Sequence, residues 1–310
     1  MTLLYFDPLC LQHDTGKHPE NATRVSTTAD HLLQFGPNEK CERPVWQPAT
    51  LEQVQQVHPQ VYLQQLSDQC KNDAGRIEAD TVVCSRSFDV ALHTAGAAID
   101  ATTRVINGEH SNAFCLMRPP GHHALANAPM GFCLLNHAAI AARHAITQCE
   151  LNRVLIVDWD VHHGNGTQDI FWEEETVGFF SMHRFPFYPG SGEASEVGQG
   201  KGLGTTLNLP IHFGSSRRLQ LDAFRSSLER FADKIQPELV IISAGFDSHR
   251  LDPVGSLGLE SEDFIELTQT VLDVAKSHAR ERVVSLLEGG YHPQSLAESV
   301  ACHLTTLLEA

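Results

Sequence analysis

The chain has 310 residues, 42% of them hydrophobic, which is enough for the core of one large globular domain. Its formal net charge of −16, from 22 basic and 38 acidic residues, argues against direct binding to a nucleic-acid backbone, which needs a basic face. The sequence contains no apolar run long enough to span a membrane and no signal-peptide pattern at its start. The eight cysteines form no CxxC pair, a usage typical of reduced thiols, and we expect a cytoplasmic protein.

Short apolar runs alternate with helical patterns, which predicts βαβ units, a parallel sheet and one domain over residues 1–310. In chain order, the runs predicted to form strands are residues 3–6, 113–117, 154–157, 176–181, 206–209, 239–243 and 283–287. The stretches predicted to form helices are residues 90–105, 136–148, 168–171, 219–235, 262–277 and 293–308. Residues 185–204 are rich in Gly and Pro and predict a long surface loop, a kind of segment that is often functional.

Four predicted strands are followed directly by residues suited to catalysis. Arg-Pro-Pro-Gly-His-His stands at residues 118–123, and Asp-Trp-Asp-Val-His-His-Gly-Asn-Gly stands at residues 158–166. Ala-Gly-Phe-Asp at residues 244–247 and Glu-Gly-Gly-Tyr at residues 288–291 follow the last two strands. Because sites in open parallel sheets form outside the carboxyl ends of the strands, we expect these four segments to meet.

The residue types in these segments predict a metal centre. If the extended backbone continues beyond residue 157, alternation points Asp158, Asp160 and His162 the same way. We predict that Asp160, His162 and Asp247 hold one zinc ion, which takes His nitrogen and Asp oxygen and in catalytic sites leaves a position open for water. Taken alone, residues 158–166 also fit a polar loop, and Asp247 alone also fits a helix N-cap.

The remaining polar residues predict proton transfer around that metal. The tandem His122 and His123 would move protons to and from the water and the leaving amine, and Tyr291 would donate its hydroxyl to a developing oxyanion. Asp158 and Asn165 would orient the two histidines, the carboxylate favouring a cationic ring and the amide a ring nearer neutral. Each group alone has a plainer interpretation, a loop pair for the histidines and a core aromatic for Tyr291.

These motifs, with Gly-Phe-Cys-Leu-Leu-Asn at residues 131–136, resemble those of the zinc-dependent histone deacetylase family. That family includes bacterial histone deacetylase-like amidohydrolases and acetylpolyamine amidohydrolases. The resemblance runs from Tyr5 to the end of the sequence. Asn165, where many nuclear members carry Asp, and His-Pro-Glu at residues 18–20 resemble the class II branch.

The resemblance implies a three-layer, arginase-like α/β fold with a mostly parallel sheet of about eight strands flanked by helices. It implies hydrolysis of an N-acyl amide, most often the acetyl group on Nε of lysine. It makes His123 the better candidate for general base and acid. It assigns Gly131 and Phe132 to one wall of an acyl-lysine channel and Tyr188 to the opposite wall, an arrangement of two aromatic faces that suits an aliphatic stem.

The resemblance also implies ions besides zinc. One potassium ion would be held by Asp158, Asp160 and His162 with backbone groups from Ser181 and Met182. A second would lie near Phe171 and Val177. Iron(II) could replace zinc without a visible change of sequence.

Three positions bear on the substrate. In a polyamine-specific relative, the position of Val254 is a Glu that selects a distant ammonium, so Val254 argues against that specificity. Asp80 either grips backbone amides of the substrate at the rim or caps a local turn. His137 replaces an Asn of many relatives, either as a surface variation or as an extra polar group near the site.

The leading hypothesis is therefore a zinc amidohydrolase acting on acylated lysine in a peptide or protein. The alternatives are a deacetylase of acetylpolyamines or other small acylated amines, an arginase-like two-metal hydrolase and a non-enzymatic binder of acyl-lysine. A two-metal site would need more carboxylates than the sequence offers, because no second acid follows two residues after Asp247. The presence of Tyr291 favours catalysis over simple binding. The acyl chain length and the oligomeric state stay open, and no nucleic acid or membrane partner is expected.

Overall fold

The computed structural model describes residues 1–72 and 74–310. Its strands are β1 (Leu3–Tyr5), β2 (Gly75–Arg76), β3 (Val82–Val83), β4 (Asn112–Cys115), β5 (Val154–Asp158), β6 (Val177–Arg184), β7 (Thr206–Ile211), β8 (Leu239–Ala244) and β9 (Val283–Leu287). Its helices are α1 (Thr23–Gln34), α2 (Leu51–Val54), α3 (Gln60–Asn72), α4 (Ser87–Ile106), α5 (His137–Thr147), α6 (Asn165–Ile170), α7 (Arg217–Ile235), α8 (Asp263–His278) and α9 (Pro293–Glu309).

Seven of these strands form a central sheet in the order β1-β4-β9-β8-β5-β6-β7, with every pair parallel. Strands β2 and β3 form a separate antiparallel pair. The sheet confirms the predicted α/β class and contains all seven predicted strands. The described residues give seven strands in this sheet, against the about eight that the resemblance implied.

The inner strands are buried along their length except at Arg184, the last residue of β6, because helices flank the sheet. In β5 and β8 every residue is buried, and most are Val, Ile or Leu, as is typical of parallel strands covered on both faces. Helix α4 packs against α5, while α7, α8, α9 and α1 form a second contiguous group. No helix among the described residues is long and apolar enough to cross a membrane.

Three helices that the sequence did not predict, α1, α2 and α3, lie in the first quarter of the chain. Helix α1 is rich in Thr and buries Val25, Ala29 and Leu32 at helical spacing, and α3 buries Leu63 and Leu66. Packing of these buried faces against the core stabilises both helices. The predicted loop over residues 185–204 is present between β6 and β7, with one short 3₁₀ turn at Gly200–Gly202.

The strand order explains why distant motifs meet. The four strands that precede the polar segments, β4, β9, β8 and β5, are contiguous in the middle of the sheet. Since all four are parallel, their carboxyl ends lie at the same edge. The loops after these strands therefore form one surface, which is where the predicted site residues are found.

Candidate active site

Three buried side chains converge at this edge of the sheet. Asp160 and His162 lie on the loop after β5, and Asp247 lies on the loop after β8, the strand paired with β5. Nδ1 of His162 lies 3.0 Å from Oδ1 of Asp160 and 3.0 Å from Oδ2 of Asp247. The structure thus brings together the three residues predicted to hold the metal.

The chemistry of this cluster fits a divalent cation. Backbone amides hold both carboxylates: Asp247 Oδ1 accepts from Val161 N at 2.9 Å, and Asp160 accepts from His162 N at 2.9 Å and Gly289 N at 2.8 Å. Oδ2 of Asp247 is buried and, within the described part of the chain, receives no hydrogen bond of good geometry. One atom from each of Asp160, His162 and Asp247 lies within 4.8 Å of the others, a donor set typical of catalytic zinc.

The charges of the cluster also favour a cation. Burial lowers the pKa of His162, but the adjacent carboxylates of Asp160 and Asp247 outweigh burial and raise that pKa to about 10. Burial and then the charge of Asp160 raise the pKa of Asp247 to about 7. Because metal ligands must be deprotonated, a cation entering here would displace protons that otherwise balance the buried carboxylates.

His122 and His123 follow β4 beside the cluster, and each ring has its own partner. Nδ1 of His122 donates to Oδ2 of Asp158 at 2.9 Å, and Nδ1 of His123 donates to Oδ1 of Asn165 at 2.7 Å. These are the partners that the sequence predicted. With Nδ1 used as a donor, Nε2 of a neutral ring is left as an acceptor.

The two rings have opposite electrostatic surroundings, although their centroids are only 4.0 Å apart. Burial lowers the pKa of His122, but the attraction of Asp158 and other nearby carboxylates raises it well above its ordinary value. Burial, together with the positive charge of His122 and His162, holds the pKa of His123 well below its ordinary value. The arrangement therefore pairs a cationic ring with a neutral one.

Tyr291 follows β9 and is fixed through both its ring and its backbone. The Arg24 guanidinium lies 4.7 Å from the centroid of the Tyr291 ring, and Arg24 Nε donates to the Gly290 carbonyl. The backbone amide of Tyr291 donates to Oδ2 of Asp252 at 2.6 Å. Burial raises the pKa of Tyr291 well above its ordinary value, so its hydroxyl keeps the proton that a hydrogen-bond donor needs.

A cavity of about 200 Å³ leads to these groups. It is lined by Asp80, His123, Gly131, Phe132, His162, Phe187, Tyr188, Val254 and Tyr291. Phe132 has a φ of 71°, in the left-handed region that side chains rarely adopt, and its amide donates to Thr81 Oγ1 at 3.1 Å. Such strain persists where the surroundings hold a side chain in a required direction, and here the Phe132 ring faces the cavity.

Comparison of the whole sequence with known protein families supports the same kind of site. The sequence model of the histone deacetylase domain matches residues 18–307. The chain belongs to the histone deacetylase family. It is a hydrolytic deacetylase of that family, as the predicted resemblance implied.

Similar histone deacetylase family members come from plants, bacteria and animals. The chain is 36% identical to "Histone deacetylase 14, chloroplastic" of Arabidopsis thaliana over 99% of its length and 76% of that protein. It is 33% identical to "Histone deacetylase-like amidohydrolase" of Pseudomonas aeruginosa, with 94% and 81% covered. It is 38% identical to human "Polyamine deacetylase HDAC10", covering 99% of this chain and 46% of that protein. Its fold matches the crystal structure of the HDA15 HD domain, with a TM-score of 0.93, 34% identity and 100% and 91% of the chains covered.

The deacetylase site contains supporting groups that sequence reasoning did not identify. Phe187 stacks on His162, with ring centroids 5.3 Å apart and planes at 16°, although Tyr188 was the residue predicted for this wall of the channel. Oε2 of the buried Glu288 accepts from the amides of Gly121 and His122 at 2.6 and 3.1 Å. Glu288 stands in the Glu-Gly-Gly-Tyr motif, and that position beside Tyr291 was the signal available.

A buried ion cluster supports the same deacetylase loops. Glu20 is 1% exposed and accepts from Arg118 Nε at 2.7 Å and Nη2 at 2.6 Å. Glu20 also accepts from Arg24 Nη1 at 3.0 Å, and Arg24 Nη2 donates to the Glu288 carbonyl. The cluster therefore ties the start of the chain to the strand ends that carry the tandem histidines and Tyr291.

The other predicted residues of this histone deacetylase family member occupy distinct places. Asp80 is half-buried at the edge of the cavity, and its carbonyl accepts from Nε2 of His18 at 2.9 Å. His137 is buried, so it is not a surface variation. Both of its ring nitrogens lack hydrogen-bond partners among the described residues, and it lines a cavity of about 10 Å³ with Glu288.

The residues predicted to hold potassium also lie close together. Asp158 is the register partner of Ser181 between β5 and β6, and Met182 follows Ser181 in β6. Phe171 is the C-cap residue of helix α6, and Val177 begins β6. This placement is compatible with the predicted ion sites, which remain predictions.

Proposed function

We propose that the chain removes an acyl group, most often acetyl, from the Nε atom of lysine, using one zinc ion held by Asp160, His162 and Asp247. The observation that carries the proposal is the meeting of this cluster with His123 and Tyr291 at the base of one cavity. Zinc, or iron(II) in its place, would polarise the amide carbonyl and acidify a water molecule. The residues of the chain would then move protons and stabilise the charge that develops on the substrate.

In the proposed reaction His123 is the general base and then the general acid. Its neutral ring, with Nδ1 held by Asn165, has Nε2 free to take a proton from the attacking water. The same nitrogen would return a proton to the leaving lysine amine. His122, held by Asp158, would stay cationic and would stabilise negative charge that develops on the substrate.

Tyr291 would donate its hydroxyl to the oxygen of the reacting carbonyl as that oxygen becomes an anion. The contacts of its ring with Arg24 and of its amide with Asp252 hold this donor in place before substrate binds. Donors fixed in advance need no reorganisation in the transition state, which is why such a group is effective.

The form of the cavity supports a straight aliphatic substrate. Phe132, Phe187 and Tyr188 present aromatic surface along it, which suits the methylene stem of lysine. Asp80 at its edge would accept hydrogen bonds from the backbone of a peptide. Val254 gives the mouth an apolar side chain where a polyamine would need a charge partner.

Acetylated polyamines are the second candidate substrates. The similarity to a protein named polyamine deacetylase and the net charge of −16 favour them, while Val254 does not. We further propose that the catalytic unit spans residues 1–310, that it binds potassium through Asp158, Asp160, His162 and the backbone of Ser181 and Met182, and that it acts in the cytoplasm.

Side-by-side kinetics on the zinc-loaded protein would test the proposal. The substrates are an acetyl-lysine peptide, the same peptide with longer acyl groups, and acetylated polyamines. We expect the highest kcat/KM on an acyl-lysine peptide. A strong preference for polyamines would overturn the substrate assignment while leaving the chemistry intact.

The variant Tyr291→Phe tests the chemistry itself. We expect kcat to fall by roughly 100-fold to 1000-fold with a small change in KM, as for loss of one oxyanion donor. Tyr62→Phe is the matched control, because it removes a buried hydroxyl bonded to the Leu134 carbonyl, away from the cavity. Unchanged turnover in Tyr291→Phe would show that the oxyanion assignment is wrong.

A further inference from the structure

Cys84 differs from the other cysteines in what surrounds its sulfur. It is partly exposed and lies three residues before Ser87, the first residue of the twenty-residue helix α4. Its Sγ accepts from the amide of Asp14 at 3.3 Å and from the hydroxyl of Ser87 at 3.4 Å, and as a thiol it donates to the Gln12 carbonyl at 3.3 Å. Two donors aimed at a sulfur at a helix N-terminus stabilise the negative charge of a thiolate.

A buried histidine and carboxylate stand behind this sulfur. Nδ1 of His13 lies 2.6 Å from Oγ of Ser87, and Nε2 of the same His13 ring lies 3.4 Å from Oε2 of Glu20. His13 and Glu20 are each 1% exposed. Thiol, hydroxyl, imidazole and carboxylate thus form one chain of contacts, in which a charged imidazole acts on the sulfur through the Ser87 hydroxyl.

The charges around the sulfur act in the same direction. Burial alone would raise the pKa of Cys84, but the nearby His13 imidazole, the Ser87 hydroxyl and nearby amides lower it to about 6. Arg86 and Asp89 pair with each other at 2.7 Å beside it, Asp14 is exposed, and Cys70 is the nearby thiol. Burial raises the pKa of each of the other thiols, Cys10, Cys41, Cys70, Cys115, Cys133, Cys149 and Cys302.

We propose that Cys84 is a modification site, a nucleophilic thiolate that reacts with hydroperoxides ahead of every other cysteine in the chain. In the reaction the sulfur attacks one oxygen of the peroxide, an S–O bond forms and the O–O bond breaks. The sulfur loses two electrons and becomes a sulfenic acid, and the peroxide is reduced to water or an alcohol after taking up a proton.

The modification would reach the deacetylase site through the buried ion cluster. A sulfenic acid at Cys84 is larger than a thiolate and lacks its charge, so the bonds of Ser87 and His13 must rearrange. His13 contacts Glu20, Glu20 binds Arg24, and Arg24 holds the backbone before Tyr291. Oxidation of Cys84 therefore lowers deacetylase turnover, a consequence that rests on the proposed function, whereas the reactivity of the thiol does not.

Labelling of the metal-loaded protein with a limiting amount of iodoacetamide tests the reactivity. Mass spectrometry of peptides gives the rate for each cysteine between pH 5 and pH 9. We expect Cys84 to react about tenfold faster at pH 6.5 than Cys149 and Cys302, which are comparably exposed, because far more of it is thiolate. Equal rates, or a pH midpoint for Cys84 near the ordinary thiol value, would overturn the proposal.

Two variants test whether the contacts with His13 and Ser87, rather than solvent exposure alone, make the Cys84 thiol reactive. His13→Gln removes the charged partner, and Ser87→Ala removes the bridging hydroxyl and serves if the buried His13 variant does not fold. Either change should move the labelling midpoint of Cys84 to higher pH and leave Cys149 unaffected. A midpoint that does not move in a folded variant would show that these groups do not activate the sulfur.

Hydrogen peroxide followed by dimedone tests the oxidation. We expect a dimedone adduct on Cys84 that is absent in Cys84→Ser. Peroxide should lower turnover of the wild type, dithiothreitol should restore it, and Cys84→Ser should resist the loss. An adduct on Cys84 with unchanged turnover would refute the link to the deacetylase site, and an adduct confined to other cysteines would refute the site itself.

Discussion

Two adjacent histidines acquire different properties from the single residues that hold them. His122 is bonded to a carboxylate and His123 to an amide, so charge is stabilised on one ring and not on the other. Neither ring could take both roles, because a base must be neutral and an electrostatic stabiliser must be charged. The residues Asp158 and Asn165 thus decide the division of work that we propose for the pair.

A single residue, Val254, is expected to influence which substrate the protein prefers. It lies half-buried at the cavity. We expect Val254→Glu to raise kcat/KM for acetylated polyamines, relative to an acetyl-lysine peptide, by about fivefold. This corresponds to the ~1 kcal/mol of a partly exposed ion pair. The gain should shrink at high salt, and Val254→Gln, which adds similar volume without charge, should not give it. An equal gain in both variants would mean that shape rather than charge was responsible.

Glu20 is a second residue whose effect can be measured alone. We expect Glu20→Gln to lower the free energy of unfolding by about 3–5 kcal/mol, because it leaves two buried guanidinium groups without their carboxylate. Glu109→Gln is the matched control. Glu109 also pairs with an Arg, but it is 47% exposed, and its loss should cost about 1 kcal/mol or less. Urea denaturation measures both, and similar costs would contradict a structural role for the buried cluster.

At the scale of elements, the site depends on how closely the loops after neighbouring strands approach one another. The loops after β8 and β9 come near enough to the Asp160 carboxylate that a methyl group at Gly245 or Gly289 would overlap it. These two glycines are therefore required by the close approach of backbone to a proposed metal ligand.

We expect Gly289→Ala to weaken zinc binding and to lower turnover by more than about tenfold, because the added methyl group displaces the carboxylates of Asp160 and Asp247. Titration with a zinc indicator measures the affinity. Gly178→Ala in β6 is the control, since its methyl group meets the flexible side chain of Ile235 and should reduce stability without changing metal affinity. Zinc affinity equal to that of the wild type would show that the loop tolerates the change.

The elements that could be predicted from the sequence are those marked by a pattern within a short stretch of residues. The strands are continuous apolar runs, and β5 and β8 could be read directly because both of their faces are buried. The Glu20 cluster had no such signal, because Glu20 and Arg118 are 98 residues apart and only the fold makes them neighbours. Phe187 and Tyr188 are adjacent in a Pro-containing loop, and the sequence could not show that both side chains face the cavity.

At the scale of the whole molecule, several buried histidines make stability depend on pH. Burial lowers the pKa of His58 to about 4 and those of His137 and His303 to about 3. His58 and His303 use both ring nitrogens in hydrogen bonds, to Ala126 and Asn136 and to Thr268 and Ser285. These rings must stay neutral in the folded protein.

We expect the free energy of unfolding to fall as the pH drops from about 6.5 to about 4, and not to change through these groups above that window. The unfolded chain binds protons near pH 6.5 while the folded chain does not, so each such ring contributes a slope of about 1.4 kcal/mol per pH unit. Chemical denaturation from pH 4 to pH 8 measures the slope. His303→Gln should reduce it, and His212→Gln, at an exposed site, should not. A flat profile would contradict the burial of these rings as neutral groups.

The position of β9 has a consequence for how the protein matures during its synthesis. Strand β9 is the last in the chain, yet it lies between β4 and β8, so until it inserts the sheet consists of two separate halves. The proposed metal ligands all come from β5 and β8, in one half, and are complete before β9 leaves the ribosome. His123 belongs to the other half, and Tyr291 comes after β9 itself. The three proposed metal ligands are therefore present in one half of the sheet before β9 inserts, and insertion of this one strand completes the proposed catalytic site.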